Sequence, residues 1–101
     1  MTKLSIIDIA GPYGASYEAG EKVYLQIYPR IKSGDSVHLD FSGVKAVSSS
    51  FLNAAIVRLY KVFDATQLQE KLFFDNFKQG DRFVLDRTLQ AFFSKKTQIP
   101  A

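Results

Sequence analysis

Residues 36–60, SVHLDFSGVKAVSSSFLNAAIVRLY, constrain the fold more than any other part of the chain. Val37, Leu39 and Phe41 alternate with His38 and Asp40, the period of a strand with one buried face. Ser42-Gly43 then permits a turn, a short apolar connector follows, and three serines lead into Leu52, Ala55, Ile56, Leu59 and Phe63 at helical spacing. The spacing predicts a helix of about four turns behind those serines. Strand, loop and serine-headed helix form the central unit, and the other segments read as scaffold around it.

Residues 3–9, KLSIIDI, read as a short strand, and residues 11–16 as a loop punctuated by Gly and Pro. Ser16 can cap a helix whose apolar stripe is Ala19, Val23, Ile27 and Ile31, with Tyr24 and Tyr28 beside it. Pro29 removes an amide from that helix and is expected to kink or loosen residues 25–29, while Gly34 suits a left-handed cap at its end. Residues 65–70 read as a polar connection and residues 71–77, KLFFDNF, as a Phe-rich strand. Asp81 can then cap a last helix over residues 82–94, with Val84, Leu85, Thr88, Leu89 and Phe92 inward. Residues 97–101 read as a disordered tail.

The order β-α-β-α-β-α over residues 1–101 predicts a single α/β domain with a mostly parallel sheet. Right-handed crossovers in simple strand order place the helices mainly on one face. The polar side of the second strand (Ser36, His38, Asp40, Ser42) fits a partly covered face, a surface that a second copy would cover in a homodimer.

The segment VHLDFSGVKAVSSSFLNAAI resembles the STAS domain, and in particular small STAS-like domains with an LDF-Gly-Val…Ser-Ser-Ser-Phe pattern. That family includes the anti-sigma factor antagonists, in which an apolar strand and a loop lead to Asp-Ser-Ser-Gly at a helix start. The resemblance implies a non-catalytic regulatory module of a bacterial signalling circuit, trimmed relative to a full STAS domain. It also implies a histidine-kinase-like ATPase as partner, one that phosphorylates the first serine after the aspartate. By motif, Ser49 matches that serine, Ser50 the next, Ser48 the aspartate and Phe51 the glycine. Ser48 lacks the carboxylate beside the acceptor hydroxyl, and Phe51 puts a large ring where the family leaves room. Partner binding survives these departures better than phosphotransfer does.

Other chemistries find little support. Without Cys there is no disulfide framework, thiolate nucleophile or zinc site. No apolar run suggests a leader or a membrane span, so a soluble, cytoplasmic protein is expected. The net charge of +3 arises in the last third: residues 1–70 hold seven basic and seven acidic side chains, residues 71–101 six and three. Those cations are too sparse and too mixed with Asp for a recognition helix, which leaves nucleic acid as the weakest of the partner readings. His38, the only histidine, sits two residues from Asp40 but near no activated nucleophile. The two glycines of residues 11–16 form no phosphate-binding loop, and no carboxylate pair has metal-binding or acid–base spacing. No catalytic residue, metal or cofactor is expected, and the chain is not read as an enzyme.

In an open α/β sheet the loops at the carboxyl ends of the strands share one binding edge. Residues 11–16, 42–50 and 76–81 should meet there, gathering Tyr13, Lys45, Ser48, Ser49, Ser50, Lys78 and Arg82. Ser48 as N-cap, with Val47 stapled onto Leu52, accounts for one serine. Ser49 and Ser50 remain as phosphorylation candidates at a helix start, where free amides and the dipole favour an anion. Ser49, Asn53, Val57 and Tyr60 form a second stripe away from the core and are expected to serve as a docking strip. The expected partner-binding set is therefore Ser48, Ser49, Ser50, Asn53, Val57, Lys45 and Tyr13. A constitutive scaffold or dimerisation domain, in which the serines only cap, is the competing class.

Overall fold

The computed structural model describes residues 1–97. Along the chain come β1 (Thr2–Ser5), α1 (Ile6–Ala10), β2 (Tyr13–Gly14), α2 (Tyr17–Lys32), β3 (Val37–Asp40), β4 (Ala46–Val47) and α3 (Ser49–Ala55). A 3-10 helix at Val57–Lys61, α4 (Ala65–Lys71), β5 (Leu72–Asp75) and α5 (Gln79–Thr97) complete it. β1, β3 and β5 pair in parallel in that order, which is the simple order predicted from the sequence. Leu4, Leu39 and Phe74 form one row across the sheet, and Lys3, His38 and Phe73 the next row on the opposite side. The first row enters the core; the second stays open to solvent, with Phe73 38% exposed.

α2 and α3 pack on the apolar side of the sheet, and their contact is the most extensive between any two elements. The approach is closest at Gly20, where a Cβ would lie 2.3 Å from the Phe51 carbonyl oxygen and 2.9 Å from the Ala54 Cβ. Gly14 leaves similar room: its Cβ would stand 3.1 Å from the Phe51 ring. Phe51 fills that slot and is 1% exposed.

The ends of α2 form as the sequence predicts. The Ser16 Oγ accepts the Ala19 amide at 3.1 Å. At the other end Gly34, at φ 90°, closes a Schellman turn in which its amide reaches the Ile31 carbonyl and the Asp35 amide the Arg30 carbonyl. Pro29 neither ends nor divides the helix, which runs through it. The one bond it deletes belongs to the carbonyl of Leu25, a residue on the exposed side of the helix, where an unpaired carbonyl is open to solvent.

Five elements depart from the expectation. The segment read as a strand over residues 3–9 turns helical at Ile6, because its partner strand stops at Asp40 and an unpaired extension would leave backbone groups unsatisfied. β2 and β4, two residues each, form a parallel mini-sheet that no periodicity signals. The four-turn helix over the serine unit shortens to α3 and continues as a 3-10 helix from Val57, where the β-branched pair Ile56-Val57 weakens the α-helix. The polar connection at 65–70 is α4, held by Leu68, which is its single buried residue. α5 begins at Gln79, three residues before the expected start, and runs to Thr97. Of the tail predicted to be disordered, Thr97 is the last helical residue and residues 98–101 lie outside the described residues.

The glycine contact gives a test of sign. Alanine in a helix interior normally stabilises by ~1 kcal/mol over glycine, but overpacking costs ~1–3 kcal/mol or more. Gly20→Ala is expected to lower stability by about 2 kcal/mol in urea unfolding. Gly80→Ala in the first turn of α5, with nothing within 4 Å of the new methyl, should leave stability unchanged or raise it by up to ~1 kcal/mol.

Candidate functional site

Three loops meet at the carboxyl end of the sheet. The Lys45 amide donates to the Pro12 carbonyl at 2.7 Å and the Ser48 amide to the Gly14 carbonyl at 2.7 Å, which joins the first loop to the second. The Lys78 ammonium reaches the Lys45 carbonyl at 2.8 Å and ties in the third. Tyr13, Lys45 and the serines therefore share one end of the molecule, as the sequence predicts.

The serines divide their work. The Ser48 Oγ accepts the Phe51 amide at 3.1 Å and donates to the Ala15 carbonyl at 2.9 Å, so it is committed to capping α3 and holding the first loop. Val47 and Leu52 are both buried in the core, as a hydrophobic staple requires. Ser49 and Ser50 are exposed, and among the described residues neither hydroxyl takes part in a hydrogen bond. The Ser49 carbonyl accepts the Asn53 side-chain amide at 3.0 Å. Tyr13, 63% exposed, and Tyr17 at the start of α2 stand free as large apolar side chains near this end.

Two residues sit otherwise than expected. Val57, placed by helical spacing on a free docking strip, is 3% exposed. The 3-10 geometry eclipses residues three apart, turning Val57 and Tyr60 together towards α5. Tyr60 meets Phe93 edge-on at 5.6 Å, and this burial pushes its hydroxyl above the usual tyrosine range. Phe51, expected to crowd the serine end, points inward instead, into the space that Gly14 and Gly20 leave. Ser49, Asn53 and Val57 thus form one wall of a groove of about 610 Å³, whose other wall is α5 with Phe83, Arg87 and Phe92. Sequence reading missed the α5 wall; its trace was the four-residue spacing of Phe83, Arg87 and Ala91.

At the strand ends, Asp40 accepts the Ser42 amide at 3.0 Å, the Ser42 hydroxyl at 2.7 Å and the Asn76 side-chain amide at 3.0 Å. These donors, Asn76 first, hold its carboxyl well below the usual range, at about 2, and Lys3 adds a smaller pull. Asn76 takes the left-handed conformation at φ 56°, which asparagine tolerates better than most residues. His38 pairs with Asp75 across the strands at 3.1 Å and stacks on Phe73, and Asp40 is turned to Ser42 and Asn76 instead. The contact is a diagonal one: the register sets Phe73 opposite His38 and Asp75 opposite Asp40, and Asp75 is the next residue along on the same face. Among the described residues no group of three His, Asp or Glu side chains is placed to hold a metal, and no helix is long and apolar enough to cross a membrane.

A parallel three-stranded sheet, helices packed on one face and a serine-capped helix at its loop end together define a STAS-like α/β domain. The chain belongs to the family described as a STAS-like domain of unknown function, whose model matches residues 19–82. That span runs from α2 to the first turn of α5 and leaves out Tyr13 and every α5 residue that lines the groove. No curated protein and no solved structure matches the chain.

Two outcomes follow from this geometry. Ser48→Ala should cost ~1 kcal/mol in urea unfolding, whereas Ser49→Ala and Ser50→Ala should stay within ~0.5 kcal/mol. Asp40 has a depressed folded-state pKa, so its stabilisation is complete above the unfolded value near 4 and is lost as the pH falls towards about 2. Asp40→Asn should therefore be less stable than the wild type at neutral pH, and the gap should close near pH 2. A constant gap across that range would remove the assigned role.

Proposed function

We propose that this chain is a non-catalytic protein-binding module that engages a signalling partner through the start of α3 and the loops around it. The observation that carries this reading is the division of labour among the serines. Ser48 alone does the capping, which leaves Ser49 and Ser50 exposed and uncommitted beside Tyr13 and Lys45. Exposed aromatic and polar side chains on a rigid frame suit protein contact. The resemblance of residues 37–56 to the anti-sigma factor antagonists supports a bacterial signalling role, with a histidine-kinase-like ATPase as partner in the cytoplasm. Phosphorylation of Ser49, or of Ser50, would then add a dianion at this end and repel a partner that fits the bare hydroxyl.

A second reading is favoured by the serine that stands at the family's aspartate position. Ser48 spends its hydroxyl on the Phe51 amide and the Ala15 carbonyl and brings no carboxylate to Ser49. A constitutive interaction domain without a phospho-switch needs nothing more.

Photo-crosslinking in the native host separates these readings. A benzophenone side chain at Tyr13 or Ser50 is expected to capture a partner, while the same group at Lys3, on the open side of the sheet, should capture none. Adducts confined to Lys3 would end the serine-end reading. Under the switch, protein from the same host carries one phosphate within residues 48–50, and Ser49→Asp lowers the Tyr13 adduct by about tenfold or more. An unmodified mass and an unchanged adduct leave the constitutive module.

A further inference from the structure

Among the described residues no side chain fills the groove between α3, the 3-10 helix and α5. α5 is apolar on two sides. Leu85 enters the core with Leu89 packed against it, while Phe83 and Phe92 line the groove. Phe83 is 62% exposed at the groove's lip, and Val57 lies along its opposite wall. A helix with a second apolar side open to solvent marks an interaction surface more often than a solvated face.

Among the described residues the charges that line this groove have one sign, those of Lys61 and Arg87; Asp86, the acid next to Arg87 in α5, acts on Tyr60 outside the lining. Neither cation is paired with a carboxylate among the described residues, whereas Lys3 and Arg58 each have an acidic partner. Arg87 lies 5.9 Å from the Phe83 ring and borders apolar surface with its charge unmatched. Cations flanking an apolar channel complement a ligand with acidic edges and an apolar spine.

We infer that this groove takes an acidic amphipathic segment of a protein partner. The segment's apolar side chains lie against Val57, Phe83 and Phe92, and its carboxylates face Lys61 and Arg87. The inference rests on the protein-binding reading above and adds the chemistry of what is bound. Ser49 at the end of the groove places that reading's serine end and this channel on one continuous surface. The α5 residues of the wall lie beyond residues 19–82, the span matched to the family.

The test uses the full chain, isotope-labelled for NMR, and a synthetic helical peptide with glutamates along one side and leucines along the other. A control peptide carries lysines in place of the glutamates. The acidic peptide is expected to shift amide resonances in residues 49–61 and 83–92 and to leave Lys3, His38 and Phe73 unmoved. Lys61→Glu combined with Arg87→Glu should weaken it by about tenfold or more and reverse the preference towards the lysine peptide. Phe83→Ala, at an exposed position, should weaken both peptides and serves as the second variant. Silence of both groove walls, equal binding of the two peptides to the wild type, or shifts produced by decanoate and not by the peptide would each overturn the inference. Crosslinks at Tyr13 and Ser50 alongside a silent groove would leave the protein-binding reading standing. Groove binding without those crosslinks would do the reverse.

Discussion

The close approach of α2 to α3 at Gly20 is the contact on which the rest depends. With no side chain at Gly20, the two backbones come near enough for Phe51 to lie flat beneath Gly14 and fill the centre. Its ring lies against Gly14 of the mini-sheet, and the mini-sheet in turn positions the Ala15 carbonyl that receives the Ser48 hydroxyl. The serine end is thus located by apolar packing from below, with a few hydrogen bonds as fasteners. Dispersion and burial supply the rigidity, since interiors at organic-crystal density tolerate little displacement. Polar groups at the surface are left free for other work.

The sheet solves a different problem. Parallel sheets are usually covered on both faces, yet this one carries helices mainly on one. Its open side holds Lys3, His38, Asp40 and Asp75, which satisfy one another through a Lys3–Asp40 ion pair and a His38–Asp75 hydrogen bond. Phe73 is the one large apolar side chain on that row and lies under the His38 ring. Four-residue strands and this polar cover let a single layer stand in water without a second layer above it. The Asp40–Ser42–Asn76 cluster closes the sheet at the loop end and joins β3 to the turn that leads into α5.

Much of this was legible in local pattern. The alternation of Val37 and Leu39 with His38 and Asp40, the caps at Ser16 and Ser48 and the glycine turn at Gly34 each obey rules confined to a few residues. The features that escaped depend on distant partners. Ile6 leaves the strand because β3 ends, a fact written some thirty-five residues away. α4 offers Leu68 as its single buried side chain, too little for a period to show. At the site, helical spacing put Ser49 and Asn53 in open solvent, where they are, but placed Val57 there with them. The burial of Val57 comes from α5 lying beside it and from the change to 3-10 winding, neither of which the stripe encodes. The inward turn of Phe51 was hidden for the same reason, since it needs the vacancies at Gly14 and Gly20, far apart from it in the chain.

The anchoring of α5 at Arg82 has a consequence for the rest of that helix. The Arg82 guanidinium lies over the Phe74 and Phe77 rings, a clamp that anchors the root of α5 to the sheet independently of the helix's later residues. Past that clamp, Leu85 is the one fully buried residue of α5 among the described residues, with Val84 and Leu89 packed against the core beside it. The outward positions of the helix, Phe83 among them, touch neither the sheet nor the caps, while Val84, Leu89 and Phe93 still tie the helix down. The root of α5 and its outer face are thus held by separate contacts, and the face can change its chemistry without the sheet changing its shape.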